Sequence, residues 1–171
     1  VDINLRGALN TLQAVVPQMK RQGQGRIIVT STVSVHRTET LVSTLYVASK
    51  AGLLQLVRQA ALELARYGIL VNAIGPGPTI TNIGGGHAKH PAVQQAMSKV
   101  IPMGRVGFPD DIKGLALFLA SPASAYITGQ QFTIDGGWTL EAAIPFKSLR
   151  YAPGTQQVWG FNIVRTVRWK N

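Results

Sequence analysis

The chain has 171 residues, 46% apolar and 14% charged, with no cysteine. That is one globular domain's worth of residues with enough apolar material for a real core, and it excludes a disulfide framework and a thiolate metal site. The net charge of +10 is spread singly, with 12 basic and 6 acidic side chains over residues 1–140 and 5 and 1 over 141–171, a pattern of solvated charge rather than a nucleic-acid face.

No apolar run is long enough to span a bilayer, and Val1 opens neither a basic nor an apolar leader segment. Neither a membrane nor a nucleic acid is therefore expected as a partner. The expected location is the cytoplasm of a bacterial-type cell.

Leu5, Ala8, Leu9, Leu12, Val15, Val16 and Met19 recur at helical spacing and predict a helix over 4–21. Gly23 and Gly25 stop it. "RIIVTS" is a short β-branched run, read as a buried strand. Residues 33–44 are polar and irregular. A long helix is predicted over 45–67, ended by Gly68. "ILVNAIG" is a second buried strand, with Asn72 in a structural role.

"PGPTITNIGGGHAKH" is a Pro/Gly-rich loop. Gly84 to Gly86 read as a hinge there, since they do not join a strand to a helix as a phosphate cradle would. His87 and His90 lack a third ligand nearby and read as loop histidines, so no metal site is expected. Short helices are predicted over 91–100 and 110–120, the second announced by Pro109 and Asp110. "QQFTID" is a third strand, closed by Gly136 and Gly137, and Trp138 after it reads as a packing or oligomer contact.

Apolar strands separated by long helices imply a parallel sheet with covered faces. In such sheets ligands bind beyond the carboxyl ends of the strands. Those ends are Thr30 to Thr32, Ile74 to Gly77 and Asp135 to Gly137.

Tyr46 and Lys50, in "LYVASKAG", lie four apart on the predicted long helix, hence on one face. An ammonium about 4 Å from a phenolate gains roughly 4 kcal/mol at an effective dielectric of about 20, enough to tune a phenol for acid/base work near neutral pH. Alone, the pair equally fits a core tyrosine beside a surface lysine.

The pair is not alone. "YVASKAGLLQLVRQAALELARYGILVNAIGPGPTITN", "VDINLRG", "GRIIVTSTVS" and "PMGRVGFPDDIKGLALFLASPASAYITGQQFTIDGG" together resemble the short-chain dehydrogenase/reductase family in register, over about residues 1–138. The resemblance implies hydride transfer between NAD or NADP and a carbonyl or alcohol, on a doubly wound, Rossmann-like parallel α/β sheet. Tyr46 is then the general acid/base and, with Lys50, a cofactor-binding residue. Lys50 favours its phenolate and bonds the nicotinamide ribose. Asn4 holds a water linking Lys50 to solvent.

A strand hydroxyl bonds the substrate oxygen. Thr32 aligns there, with Ser31 and Ser34 as alternative donors, and the segment from Thr32 to Tyr46 is one residue longer than the commonest spacing. Pro76 and Gly77 shape the loop beside the nicotinamide. Thr79 meets the carboxamide through its backbone, and Thr81 bonds the carboxamide or phosphate. Helices 4–21 and 45–67 resemble the family's subunit interface, implying a homodimer or homotetramer.

Two departures accompany the resemblance. No TGxxxGxG and no Asn-Asn-Ala-Gly element occurs in the sequence, so the expectation is a truncated sheet, an incomplete cofactor site and an uncovered edge on the first strand. Residues 141–171, with "IPF", "LRY" and "WGFN", faintly resemble part of a carbohydrate-binding family-nine-like β-sandwich. They are expected to form a foreign β-hairpin-like tail after a partial reductase domain over 1–140. With the cleft open, a Ser/Thr hydroxyl beside Tyr46 and Lys50 also fits a cofactor-independent esterase-like hydrolase. A non-catalytic, self-associating fragment is the third reading.

Overall fold

Three apolar runs meet in one sheet. In the computed structural model, which describes residues 2–37 and 42–137, β1 (Gly25–Thr30), β2 (Ile69–Pro76) and β3 (Gln131–Ile134) are parallel in the order β1-β2-β3. The β1–β2 register runs from Gly25↔Ile69 to Thr30↔Ile74, and the β2–β3 register from Ala73↔Gln131 to Pro76↔Ile134. Parallel pairing requires helical crossovers. They are α2 (Thr44–Leu64) between β1 and β2, and α3 (Pro91–Ser98) with α4 (Pro109–Ala120) between β2 and β3. The architecture is the predicted α/β one. The expected tail and Trp138 lie outside the described residues.

The first helix begins differently from its prediction. Asp2–Arg6 form a π-helical turn, and α1 follows over Gly7–Gln22. The long helix ends at Leu64 and continues as a 3-10 turn, Ala65–Tyr67. Gly23 and Gly68 close the two helical segments with left-handed φ of 67° and 71°, a backbone that a Cβ makes costly. The loop of "IGGGHAK" is wound into 3-10 turns over Ile83–Lys89, broken at Gly84, Gly85 and Gly86, all at positive φ.

The core forms where α2 crosses β2. Leu54, Val57, Ala60, Ala61 and Leu64 pack with Ile69, Val71 and Ala73, and Val16 and Met19 of α1 close over them. Each large apolar side chain buried this way contributes roughly 2 kcal/mol. Alternate residues of β2 are buried too, Asn72 and Ile74 among them, as a central strand covered on both faces requires. Among the described residues β1 is paired on one side only.

α4 starts at Pro109, one residue before the predicted 110, and Asp111 caps it. The Asp111 carboxylate accepts from the Phe108 N–H (2.7 Å) and from both Arg105 guanidinium nitrogens (2.7 and 2.9 Å). Asp110 pairs with Lys113 on the surface. The Arg105 hydrogen bonds, then the Phe108 N–H, hold the Asp111 pKa down to about 2. A depressed carboxylate stabilises the fold fully above its unfolded pKa and loses that contribution as pH falls through the folded one. Asp111→Asn is therefore expected to be less stable than wild type at pH 7, with the gap closing between about pH 4 and pH 2. Urea titrations at the two ends of that window check it. A gap that is constant with pH would show that the carboxylate's charge is not what stabilises the cap.

Candidate active site

The chain segments at the carboxyl ends of β1, β2 and β3 hold Ser31 and Thr32, Pro76 and Gly77, and Asp135, and Lys50 reaches the first of these ends. Tyr46 and Lys50 lie in the first two turns of α2 and are both half-buried. The Lys50 ammonium stands 5.9 Å from the Tyr46 ring centroid and donates to the Thr30 carbonyl at 2.6 Å. One amine thus ties the start of α2 to the end of β1. Burial pushes its pKa below the ordinary lysine value of 10.5, because an ammonium loses solvation there.

Asn4 sits in the π-helical turn, an irregularity common at functional sites. Its Nδ2 donates to the Ser49 hydroxyl at 3.1 Å, and Ser49 donates to the Tyr46 carbonyl at 2.7 Å. The amide therefore meets the residue before Lys50 rather than Lys50 itself. Ser49 went unnoticed in the sequence. A serine one step from the lysine, buried on a helix of apolar neighbours, was the available signal.

Thr32 is extended (φ −156°, ψ 155°) and precedes the 3-10 turn Val33–Val35. Its Oγ1 accepts from the Ser34 N–H and donates to the Ser34 hydroxyl, both at 3.3 Å. Ser31 continues the sheet ladder, donating its N–H to the Ile74 carbonyl at 2.7 Å. Its hydroxyl is buried without a protein partner. Thr32 and Ser31 are 7% and 3% exposed, so burial alone does not choose between them.

Pro76 ends β2 and Gly77 follows it. The Gly77 N–H donates to the Ile134 carbonyl at 2.7 Å. The loop then runs beside Gly107: Thr79 bridges to it, and the Ile80 N–H donates to its carbonyl at 2.9 Å. Thr79 Oγ1 donates to the Gly77 carbonyl at 3.0 Å, and Thr81 Oγ1 accepts from the Ile83 N–H at 3.2 Å. Arg37 meets Asp135 at 3.3 Å, joining the segment after β1 to the end of β3. No group of three potential metal ligands converges among the described residues.

These residues fit the nicotinamide end of a dinucleotide by their donor chemistry. Lys50 keeps two further N–H donors once Thr30 takes one, and the Thr81 hydroxyl proton is not used by the bond it accepts from Ile83.

A family model described as enoyl-(acyl carrier protein) reductase matches residues 1–139. The chain is 43% identical over 143 residues to the L-rhamnose-1-dehydrogenase of Scheffersomyces stipitis, covering 80% of this chain and 53% of that protein. It is 40% identical over 138 residues to the L-rhamnose 1-dehydrogenase (NAD(P)(+)) of Azotobacter vinelandii, covering 80% and 54%. A gluconate 5-dehydrogenase from Burkholderia cenocepacia, crystallised with NADP and tartrate, superposes with a TM-score of 0.73 at 34% identity, covering 78% and 52%. The chain spans about half the length of the curated relatives it matches. These relatives are dehydrogenases, and they lend the hydrolase reading no support. A matched family model over most of the chain, and relatives of the same kind, carry one conclusion: this chain belongs to the short-chain dehydrogenase/reductase family.

Proposed function

We propose that this chain carries the proton-transfer end of an NAD(P)-dependent oxidoreductase acting on a sugar or sugar acid. The observation that carries the reading is Lys50, held between the Tyr46 ring and the Thr30 carbonyl at the sheet's carboxyl end. The substrate class comes from the relatives, named for L-rhamnose and gluconate.

The bound nicotinamide supplies the hydride acceptor or donor. Everything else falls to the chain. In oxidation the substrate carbon loses a hydride while its hydroxyl loses a proton, and Tyr46 takes that proton. In reduction Tyr46 returns it to the carbonyl oxygen. Lys50 stands as a cation beside the ring during the transfer, 5.9 Å from its centroid. Its remaining N–H donors hold the ribose of NAD or NADP. Thr32 donates to the substrate oxygen once its proton turns away from the Ser34 hydroxyl, with Ser31 as the alternative. Asn4 acts through Ser49 on the helical turn that carries both Tyr46 and Lys50. Pro76, Gly77, Thr79 and Thr81 bound the nicotinamide and its phosphate.

The same reading places self-association on α1 and α2. A groove of about 510 Å³ is lined by Leu5 of the π-helical turn, Leu9 of α1, and Gly52, Gln55, Leu56 and Gln59 of α2. A second copy laying the same helices there gives a homodimer or homotetramer. The division near residue 140 follows the end of the family match. No helix among the described residues is long and apolar enough to cross a membrane, and cytoplasmic location belongs to this proposal.

Titration of the chain with NADPH and NADH, followed by nucleotide fluorescence, tests the cofactor. Saturable binding in the micromolar to millimolar range is expected for at least one of them. No saturation up to millimolar dinucleotide sinks the reading for this polypeptide.

A further inference from the structure

The first residue of β3 reaches across the sheet to the turn that presents the proposed substrate hydroxyl. Gln131 pairs with Ala73 on β2. Residues in register on parallel strands point to one face, and that face recurs every second residue. Gln131 therefore shares a face with Ala73 and Gly75. Its Nε2 donates to the Thr32 carbonyl at 3.0 Å. The bond joins β3 to the end of β1, two strands that are not neighbours in the sheet.

The crossing depends on Gly75. A β-carbon at that position would fall on the Gln131 Nε2, and would lie 2.9 Å from its Cδ and 3.3 Å from its Cγ. Gly75 has an ordinary negative-φ backbone, so its value here is room, not conformational freedom. The amide orientation follows from its partner: a reversed amide would set two oxygens against each other. Gln131 Oε1 is buried without a protein partner, so the Thr32 carbonyl is the contact that orients the group. That carbonyl belongs to the residue whose hydroxyl caps the Val33–Val35 turn.

We propose that Gln131 is a positioning residue, which sets the Thr32 hydroxyl by holding the Thr32 carbonyl through the space Gly75 leaves open. Its functional meaning rests on the hydride-transfer reading above. The coupling itself does not.

The test uses the full chain as wild type, Gln131→Met, Gly75→Ala and the double variant. Met keeps the length of Gln and removes the donor. Hydrogen exchange by mass spectrometry is read over residues 33–36, where the Ser34 N–H bonds Thr32 and the His36 N–H bonds Val33. Exchange there is expected to rise about tenfold in each single variant, as one lost hydrogen bond implies, while the Ile69–Ile74 amides keep wild-type protection. The double variant should be no looser than either single one, because both remove the same bond. Oxidation of L-rhamnose and gluconate with NAD and NADP is read in parallel. The expected change is a severalfold fall in kcat with an unaltered KM for the dinucleotide, a split that general loosening would not produce.

Wild-type exchange over 33–36 in both single variants, with β2 protection intact, overturns the proposal. So does additive loosening in the double variant. If Gly75→Ala unfolds the chain, Gln131→Met decides alone. Loosening of the turn in a chain whose wild type oxidises neither sugar would overturn the hydride-transfer reading and leave the Gln131–Thr32 coupling standing.

Discussion

Tyr46→Phe is expected to lower the turnover of L-rhamnose or gluconate with NAD(P) by about a hundredfold to ten-thousandfold. General acid/base groups contribute on that scale. The substitution removes one phenolic oxygen and keeps the ring beside Lys50. Tyr46 is half-buried at the start of α2 and outside the core cluster, so stability should move by no more than about 0.5 kcal/mol. The fall should lie mainly in kcat, because the phenolic oxygen that Phe lacks is the group that moves the proton during transfer. Lys50→Met is a less clean probe. Lys50 also holds the Thr30 carbonyl, so its removal loosens the junction of α2 with β1 as well as the cofactor contact. Initial rates of nicotinamide reduction for wild type and Tyr46→Phe make the check. Rates within threefold of each other would remove Tyr46 from the role of acid/base.

Asn72→Ala is expected to cost about 3 kcal/mol of stability without touching the chemistry. Asn72 is 2% exposed on the central strand. Its Nδ2 donates to the Ile127 carbonyl at 2.9 Å, and its Oδ1 accepts from the Gln130 N–H at 3.1 Å. The side chain thus satisfies two backbone groups of the segment leading into β3. Removing it takes the partner from the Ile127 carbonyl and the Gln130 N–H, two part-buried groups, and leaves the space of a buried side chain empty, each loss worth about 1 kcal/mol or more. Beside it Val71 donates its N–H to Thr128 Oγ1, and Gly129 donates to the Val71 carbonyl, which keeps part of the junction in place. Denaturant midpoints for wild type and Asn72→Ala measure the loss. A shift worth less than about 1 kcal/mol would mean that the segment finds other partners.

Most of the fold was legible in the residues. β-branched runs bounded by glycine announce the three strands, and apolar spacing of three and four announces the helices. These signals are local, and the core of α2 on β2 follows from them. The π-helical turn at Asp2–Arg6 carries no such signal, because five residues with two apolar ones, Ile3 and Leu5, are too short a stretch to display a period. That Asp111 caps α4 is also not a local matter. It depends on where the Arg105 guanidinium and the Phe108 N–H stand.

The site divides in the same way. Tyr46 and Lys50 lie on one helix, so their spacing alone predicts that they share a face. A resemblance spread over several motifs then names Asn4, Thr32, Pro76, Gly77, Thr79 and Thr81 as their company. The contacts of that company had to come from the tertiary structure. Asn4 is 45 residues from the Ser49 it bonds, Lys50 is 20 from Thr30, and Gln131 is 99 from Thr32. Such partners are chosen by strand order and register, which bring distant residues to one end of the sheet. They are also chosen by the absence of a side chain at Gly75, whose effect appears only when three strands lie side by side. Periodicity reads which face a residue is on; it does not read what arrives from another strand to meet it.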